Sequence, residues 1–279
     1  GPNGDTHVYR PTPADARAVS QANVLVVNGL QFEGWLDRLS DASDFSGTRT
    51  VATVGITPIV LDGKDAHHDK EKDEHHKGEK DEHHKDEKKA EAEGHDDHDG
   101  HDHGTYDPHA WQSLKNAVVY ADNITAGLAK AKPEHASAFY RNREVYVKKI
   151  RALDKEIREI IAAVPESKRI IVTSHDAFQY FGRDYHLKFL APQGLSTDSE
   201  ASAKDVAQLI RQIREGKVRA VFVENLSDPR LLKRIADETG AAIGGTLYPG
   251  ALSEPTGPAP TYLEMMRHNA VTLSQALSS

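Results

Sequence analysis

The chain has 279 residues, enough for one large α/β domain or two smaller ones with a real core. It has no cysteine, which excludes a disulfide scaffold, an iron–sulfur cluster, a thiolate zinc site and a cysteine nucleophile, and fits an oxidising compartment. The net charge of −8 is unevenly spread: residues 62–104 hold 17 acids against 8 lysines, so the rest of the chain sums to +1 and has no basic face for nucleic acid.

The chain opens at Gly1-Pro2-Asn3-Gly4, a turn without a signal-peptide pattern, which reads as a processed or truncated start. Thr12-Pro13 then starts a helix, with Thr12 as N-cap and Pro13 in the first helical position. Asn23–Gly29 is a short apolar run that suits a strand buried on both faces. Gly34–Ala42 reads as a helix with Trp35, Leu36 and Leu39 on one side, and Thr50–Gly55 as a second strand.

The next stretch is compositionally biased. Its paired histidines recur every eight residues at His67-His68, His75-His76 and His83-His84, and a second set follows at His95, His98, His101 and His103. These are 10 of the 16 histidines of the chain, and they alternate with acids. Few apolar residues occur there, so the sequence predicts a flexible insertion that buries too little to offset its ordering entropy.

Order resumes at Tyr106-Asp107-Pro108-His109-Ala110-Trp111, and a helix is expected from about Trp111 to Ala131. A long amphipathic helix follows from Pro133 to about Ala163, with Phe139, Tyr146, Ile150, Leu153, Ile157, Ile160 and Val164 as its apolar stripe. Strands and helices then alternate: Arg169–Ser174, Leu187–Ala191, Val218–Val223 and Ala241–Leu247 as strands, and Asp176–Arg183, Ser202–Glu215, Pro229–Thr239 and Tyr262–Leu277 as helices. No run of about 18 apolar residues is present to cross a membrane. The expected fold is α/β, with two lobes, each a parallel sheet flanked by helices, joined by one long rigid helix. The lobes are placed at 1–132, with the insertion 62–104, and at 165–279, with 133–164 as the link. The crevice between them is the natural ligand site.

Six histidines lie outside the insertion. His135, His186 and His268 fall in or beside amphipathic helices, where ordinary hydrogen bonding accounts for them. His7 and His109 each precede a helix, and His175 follows an apolar strand, where a doubly wound lobe presents residues to the crevice. Together they form a candidate metal site. Imidazole suits zinc, copper, nickel and iron, and three histidines without a thiolate are compatible with zinc. The set alone leaves a transport site and a hydrolytic zinc–water centre both open, although there is no HExxH signature. Glu224, at the same sheet edge as His175, reads either as a carboxylate that orients a ligand histidine or as a solvated cap. Tyr9 and Trp111 read as packing residues.

Three stretches carry a resemblance: Thr6–Asp15 with Leu25-Val26-Val27-Asn28-Gly29, then Asp107-Pro108-His109-Ala110-Trp111, then Thr173-Ser174-His175-Asp176-Ala177-Phe178. With Gly257-Pro258-Ala259, Tyr262 and Met265-Met266 near the end, the chain resembles the zinc and manganese solute-binding proteins of ABC transporters (cluster A-I). The acidic, His-rich insertion is similar to that of their zinc-importing, ZnuA-like branch. The resemblance implies a periplasmic receptor rather than an enzyme, monomeric, that carries one tightly held Zn2+ to an inner-membrane permease. It also implies a periplasmic zinc chaperone as a further partner. His7, His109 and His175 become the metal ligands. Manganese-type relatives usually place a carboxylate where this chain has His175, and manganese prefers harder oxygen ligands. A manganese or iron receptor and a three-histidine zinc hydrolase stand as the alternatives.

The chain departs from the family pattern in two places. Gly250 follows Leu247-Tyr248-Pro249, where relatives often supply an Asp, and it cannot ligate. The fourth position is then water, a carboxylate such as Asp5, or an insertion histidine, and water or another exchangeable ligand is favoured. The family's first strand and helix, ahead of the His7 motif, are also lacking, so that either the chain is truncated or its first lobe is incomplete. The insertion itself reads as a solvated loop, as a collector that binds extra zinc weakly, or as a regulator that covers the cleft.

Overall fold

The computed structural model describes residues 2–61 and 106–278; the His-rich insertion assigned to 62–104, with its ten histidines, lies outside them. The first lobe begins with α1 (Pro13–Gln21), β1 (Val24–Val27), α2 (Leu36–Asp41) and β2 (Thr48–Val51). The start of α1 follows its sequence: the Thr12 side chain accepts from the Asp15 N–H while Asp15 accepts from the Thr12 N–H, so two otherwise orphaned donors are satisfied. β1 and β2 pair in parallel, Val24 opposite Thr48 and Val27 opposite Val51. The expectation of a strand buried on both faces fails at β1. Val27 is its one buried residue and Val26 is 42% exposed. The reason is the size of the sheet: two strands offer little face for helices to enclose, and α1 buries none of its residues. β2 ends at Val51, and the backbone turns over Ala52–Gly55, where a strand was expected to continue.

A short 3-10 turn, Ala110–Gln112, leads into α3 (Leu114–Ala131), whose N-cap Ser113 accepts from the Asn116 N–H. Another such turn, Pro133–His135, precedes α4 (Ala136–Ala162). α4 has 27 residues, about 40 Å at 1.5 Å per residue. It packs on α3, on α5 (Gln179–Tyr185) and on α8 (Tyr262–Ser278), and so links the two lobes. Its buried stripe is Val147, Ile150, Leu153, Ile157 and Ile161; Tyr146 is 39% exposed. The stripe is thus rotated by about one residue from the expected one at 146 and 160. Helices on more than one side of α4 set which face is covered.

The second lobe is a four-stranded parallel sheet in the order β4-β3-β5-β6, with β3 Ile170–Val172, β4 Lys188–Leu190, β5 Ala220–Glu224 and β6 Ala242–Leu247. α6 (Ala203–Glu215) and α7 (Arg230–Thr239) complete it, and α7 stops at Gly240, whose φ of 74° suits glycine. Side chains alternate across the sheet. Ile171 and Phe222 enter one core with α4, α5 and α8; Val172 and Val221 enter the other with α6 and α7. The parallel sheet is therefore covered on both faces, as the unbroken apolar strands require. The first crossover leads from β3 out to β4, and the next returns past β3 to β5. The strand order reverses between β3 and β5, where such folds open a crevice at the carboxyl ends of their strands.

Candidate metal site

Three segments approach one point from different parts of the fold. The first runs through Asn3–His7, along the second lobe: the Asn3 N–H donates to the Leu252 carbonyl at 2.9 Å, and Thr197 Oγ1 donates to Asp5 Oδ2. Asp5 Oδ1 accepts from the His7 N–H at 3.0 Å, and Trp35 Nε1 donates to the Thr6 carbonyl at 3.2 Å. The second segment carries His109 at the entry to α3. It is fixed by Asn28, whose Nδ2 donates to the Pro108 carbonyl at 3.0 Å, and by Tyr180, whose hydroxyl donates to the Asp107 carbonyl at 2.9 Å and accepts from the Ile59 N–H at 3.0 Å. The third carries His175 directly after β3.

His7, His109 and His175 come together: one ring nitrogen from each lies within 4.8 Å of the others, and the Nε2 atoms of His7 and His109 are 3.1 Å apart. His109 and His175 are each 1% exposed, and His7 is half-buried. Among the described residues this is the one group of three or more histidines and carboxylates with metal-binding proximity. His135, His186 and His268 stay outside it. His135 sits just ahead of α4, His186 ends α5 in a left-handed conformation, and His268 Nε2 lies 2.9 Å from the Thr246 carbonyl.

Two carboxylates hold the buried rings from behind. Asp107 Oδ1 lies 2.8 Å from His109 Nδ1 and accepts from the His109 N–H at 2.9 Å. Glu224, at the end of β5, lies 2.5 Å from His175 Nδ1 and accepts from the N–H groups of Ser174 and His175 and from Ser227 Oγ. The switch between β3 and β5 explains this pairing, because it sets the residue that ends β5 beside the loop that follows β3. With Nδ1 of both rings turned to a carboxylate, Nε2 is the nitrogen left to face the cavity.

The electrostatics favour neutral imidazole at two of the three positions. Burial, then His109 and His175, push the His7 pKa down to about 3. Burial and His175 hold His109 well below its ordinary value. At His175 burial works in the same direction, but the Glu224 charge and hydrogen bond outweigh it and raise the pKa. Burial raises Asp107 to about 7, and its Oδ2 is buried without a partner.

A cavity of about 280 Å3 adjoins the three histidines. Phe32 and Trp111 form one wall: Phe32 lies edge-on to His7 at 4.9 Å between ring centroids, and Trp111 lies 5.2 Å from His109. Gly250 also lines the cavity, and a Cβ there would come within 3.2 Å of the Trp111 ring. Trp111, read as a packing residue, is thus a wall residue as well, anchored by Nε1 donating to the Pro249 carbonyl at 2.7 Å. Sequence reasoning missed Asn28, Phe32 and Asp107. Asp107 had a signal in its place two residues before His109. Asn28 stood only as part of the Leu25–Gly29 motif, and Phe32 had no signal, since both reach the site only by folding.

Similarity to known proteins runs along almost the whole chain. The profile of the family described as "ZnuA: Zinc-uptake complex component A periplasmic" matches residues 1–276. The chain belongs to this family, and is the substrate-binding receptor of a metal ABC transporter, which implies a membrane permease and an ATPase as partners. It is 33% identical to the manganese-binding lipoprotein MntA of Bacillus subtilis, over 99% of this chain and 80% of that one. It is 30% identical to the iron-binding protein YfeA of Yersinia pestis, over 98% and 76%. Among solved structures, the periplasmic zinc binding protein TroA of Treponema pallidum superposes with a TM-score of 0.81 at 25% identity, covering 100% of this chain and 89% of that one. The Mn-bound periplasmic metal binding protein from Candidatus Liberibacter asiaticus gives 0.76 at 28% identity, covering 99% and 88%. The family consists of receptors for metal ions rather than enzymes, which sets the hydrolase alternative aside. Among the described residues no helix is long and apolar enough to cross a membrane.

Proposed function

We propose that the chain is a periplasmic Zn2+ receptor whose cargo ion is bound by Nε2 of His7, His109 and His175, between an N-terminal lobe (1–132) and a C-terminal lobe (165–279) joined through 133–164. The observation that carries this reading is the donor set: three imidazoles within 4.8 Å and no carboxylate among them. Nitrogen donors of this kind suit zinc, whereas manganese ranks lower in affinity at such sites and prefers oxygen. Asp107 and Glu224 serve as the outer carboxylates that orient the two buried ligands. Asp5 is a poor fourth ligand, because its carboxylate is not among the groups that meet within 4.8 Å. Water or another exchangeable ligand completes the four-coordinate site and lets the ion leave for the permease. The histidines of 62–104, with the acids among them, add weaker sites that gather zinc or sense its abundance, and a periplasmic chaperone is a further partner.

Manganese or iron as cargo is the second reading, favoured by the similarity to manganese-binding MntA and iron-binding YfeA. Calorimetric titration with Zn2+ and Mn2+, separately and in competition, decides between them. The zinc reading expects one tight zinc site that manganese does not displace and that His175→Ala weakens strongly. A tight manganese-selective site, or a zinc site indifferent to His175→Ala, would overturn it.

A further inference from the structure

The cavity wall bears on how many ligands the ion can keep. Phe32 lies 4.9 Å from His7, 6.2 Å from His109 and 4.8 Å from Trp111, between ring centroids. Leu226, Leu252 and Met265 extend the apolar lining. Of the polar side chains that also line the cavity, Asn28, Asp5 and Tyr262 already have hydrogen-bond partners. Asn28 donates to Gly29 and Pro108 and accepts from Tyr120, and Asp5 accepts from His7 and Thr197. Phe32 follows a turn of left-handed residues. Gly29, Leu30 and Gln31 have φ values of 88°, 54° and 60°, and two of these three left-handed residues are not glycine. Glu33 clamps the start of this turn, accepting from the Asn28 N–H at 2.6 Å and the Gly29 N–H at 3.2 Å. Backbone strain of this kind persists only where the surroundings over-determine it.

A metal-bound water is a strong donor and needs acceptors. A three-histidine ion that is four-coordinate keeps one water, while a six-coordinate ion keeps three. Waters set against ring faces and aliphatic side chains would lack hydrogen-bond partners, and that lack is costly. We infer that Phe32, held by the strained 29–31 turn and backed by Trp111, is a specificity-determining residue: its apolar wall enforces low coordination number at the three-histidine site and so rejects hydrated, six-coordinate ions. The inference rests on the zinc reading above, and it assigns the discrimination to a side chain that touches no metal.

The test uses the full chain loaded with Zn2+, Mn2+ or Co2+. Zinc-edge X-ray absorption of the wild-type chain is expected to count four ligand atoms; six would overturn the inference without any variant. Phe32→Asn gives waters a partner, and should lower the zinc-over-manganese affinity ratio about tenfold. It should also weaken the intense visible absorption of tetrahedral Co2+, a signature that a merely structural role would not move. Phe32→Leu restores an apolar wall and should recover both readouts relative to Phe32→Asn. If wild-type zinc preference holds while Phe32→Asn leaves ratio and spectrum unchanged, the wall is refuted and the zinc reading stands. Manganese preference in the wild-type chain would overturn both.

Discussion

At the scale of single residues, the site divides its work between atoms that face the cavity and atoms that hold them there. Glu224 shows this division. Its two oxygens receive four donors, two of them from the backbone around His175, so it fixes both the ring and the loop that bears it. Glu224→Gln keeps the shape but puts an NH2 group where donors already point. It should weaken zinc binding by about 10–100-fold, and calorimetry against the wild-type chain checks this. His7 gives a pH prediction. Its pKa is about 3 in the fold and 6.5 as a free group, so the unfolded chain binds a proton first as pH falls. The stability that His7 contributes is therefore complete above about pH 6.5 and is lost as pH drops from there towards 3. Asp107, raised to about 7 by burial, acts in the opposite sense, losing its contribution as pH rises from 3.8 towards 7. Thermal melts of the metal-free chain and of His7→Asn separate the two. The variant should lose less stability than the wild type between pH 7 and pH 4, and parallel profiles would contradict the assignment.

At the scale of elements, close approach is arranged by residues that carry no chemistry. α3 packs on β2 at Gly127, where a Cβ would fall 2.0 Å from Thr50 Oγ1 and 3.0 Å from Thr50 Cβ. In an open helix Gly→Ala gains about 1 kcal/mol. Here the overlap should reverse that sign, and Gly127→Ala should destabilise by about 1–3 kcal/mol. Thr50→Ala removes the nearest atom, so the same substitution in that background should cost at most about half as much. A double-mutant cycle by denaturant unfolding measures the coupling. The core of α4 obeys the simpler rule. Ile157 is fully buried, and Ile157→Ala should cost about 2–5 kcal/mol.

At the scale of the whole molecule, a near-neutral body carries the buried site, and a segment of net charge −9 is set into its first lobe. Deleting 62–104 should leave one tight zinc site with unchanged affinity and remove the weaker ones, so the zinc taken up at saturation falls while the first equivalent binds as before. Loss of the tight site on deletion would place its ligands in the insertion instead. The lobes are joined by more than α4: Tyr180 links Ile59 to Asp107, Trp111 reaches Pro249, and Ser113 Oγ donates to Asp184. Each link lies close to the loop that bears His109, so the position of that histidine is tied to the relation between the lobes.

Local sequence was enough to read most of the elements and the three histidines. Helix caps, apolar runs and their periods are properties of neighbouring residues, and the topology of a parallel sheet brings a residue such as His175 to the crevice edge by rule. Glu224 could be placed at that edge, but not paired: its contact with His175 depends on β5 lying beside β3, which strand order decides. β1 read as a strand enclosed on both sides because its residues are apolar, while its exposure follows from the number of strands around it. Phe32, Asn28 and the shifted stripe of α4 were beyond local reading for the same reason. Which groups can bind a metal, and roughly where each element begins, are written into neighbouring residues and their chemistry. Which of those groups meet, what stands behind them and what walls them in are settled only on folding, because they depend on contacts between residues far apart in the chain.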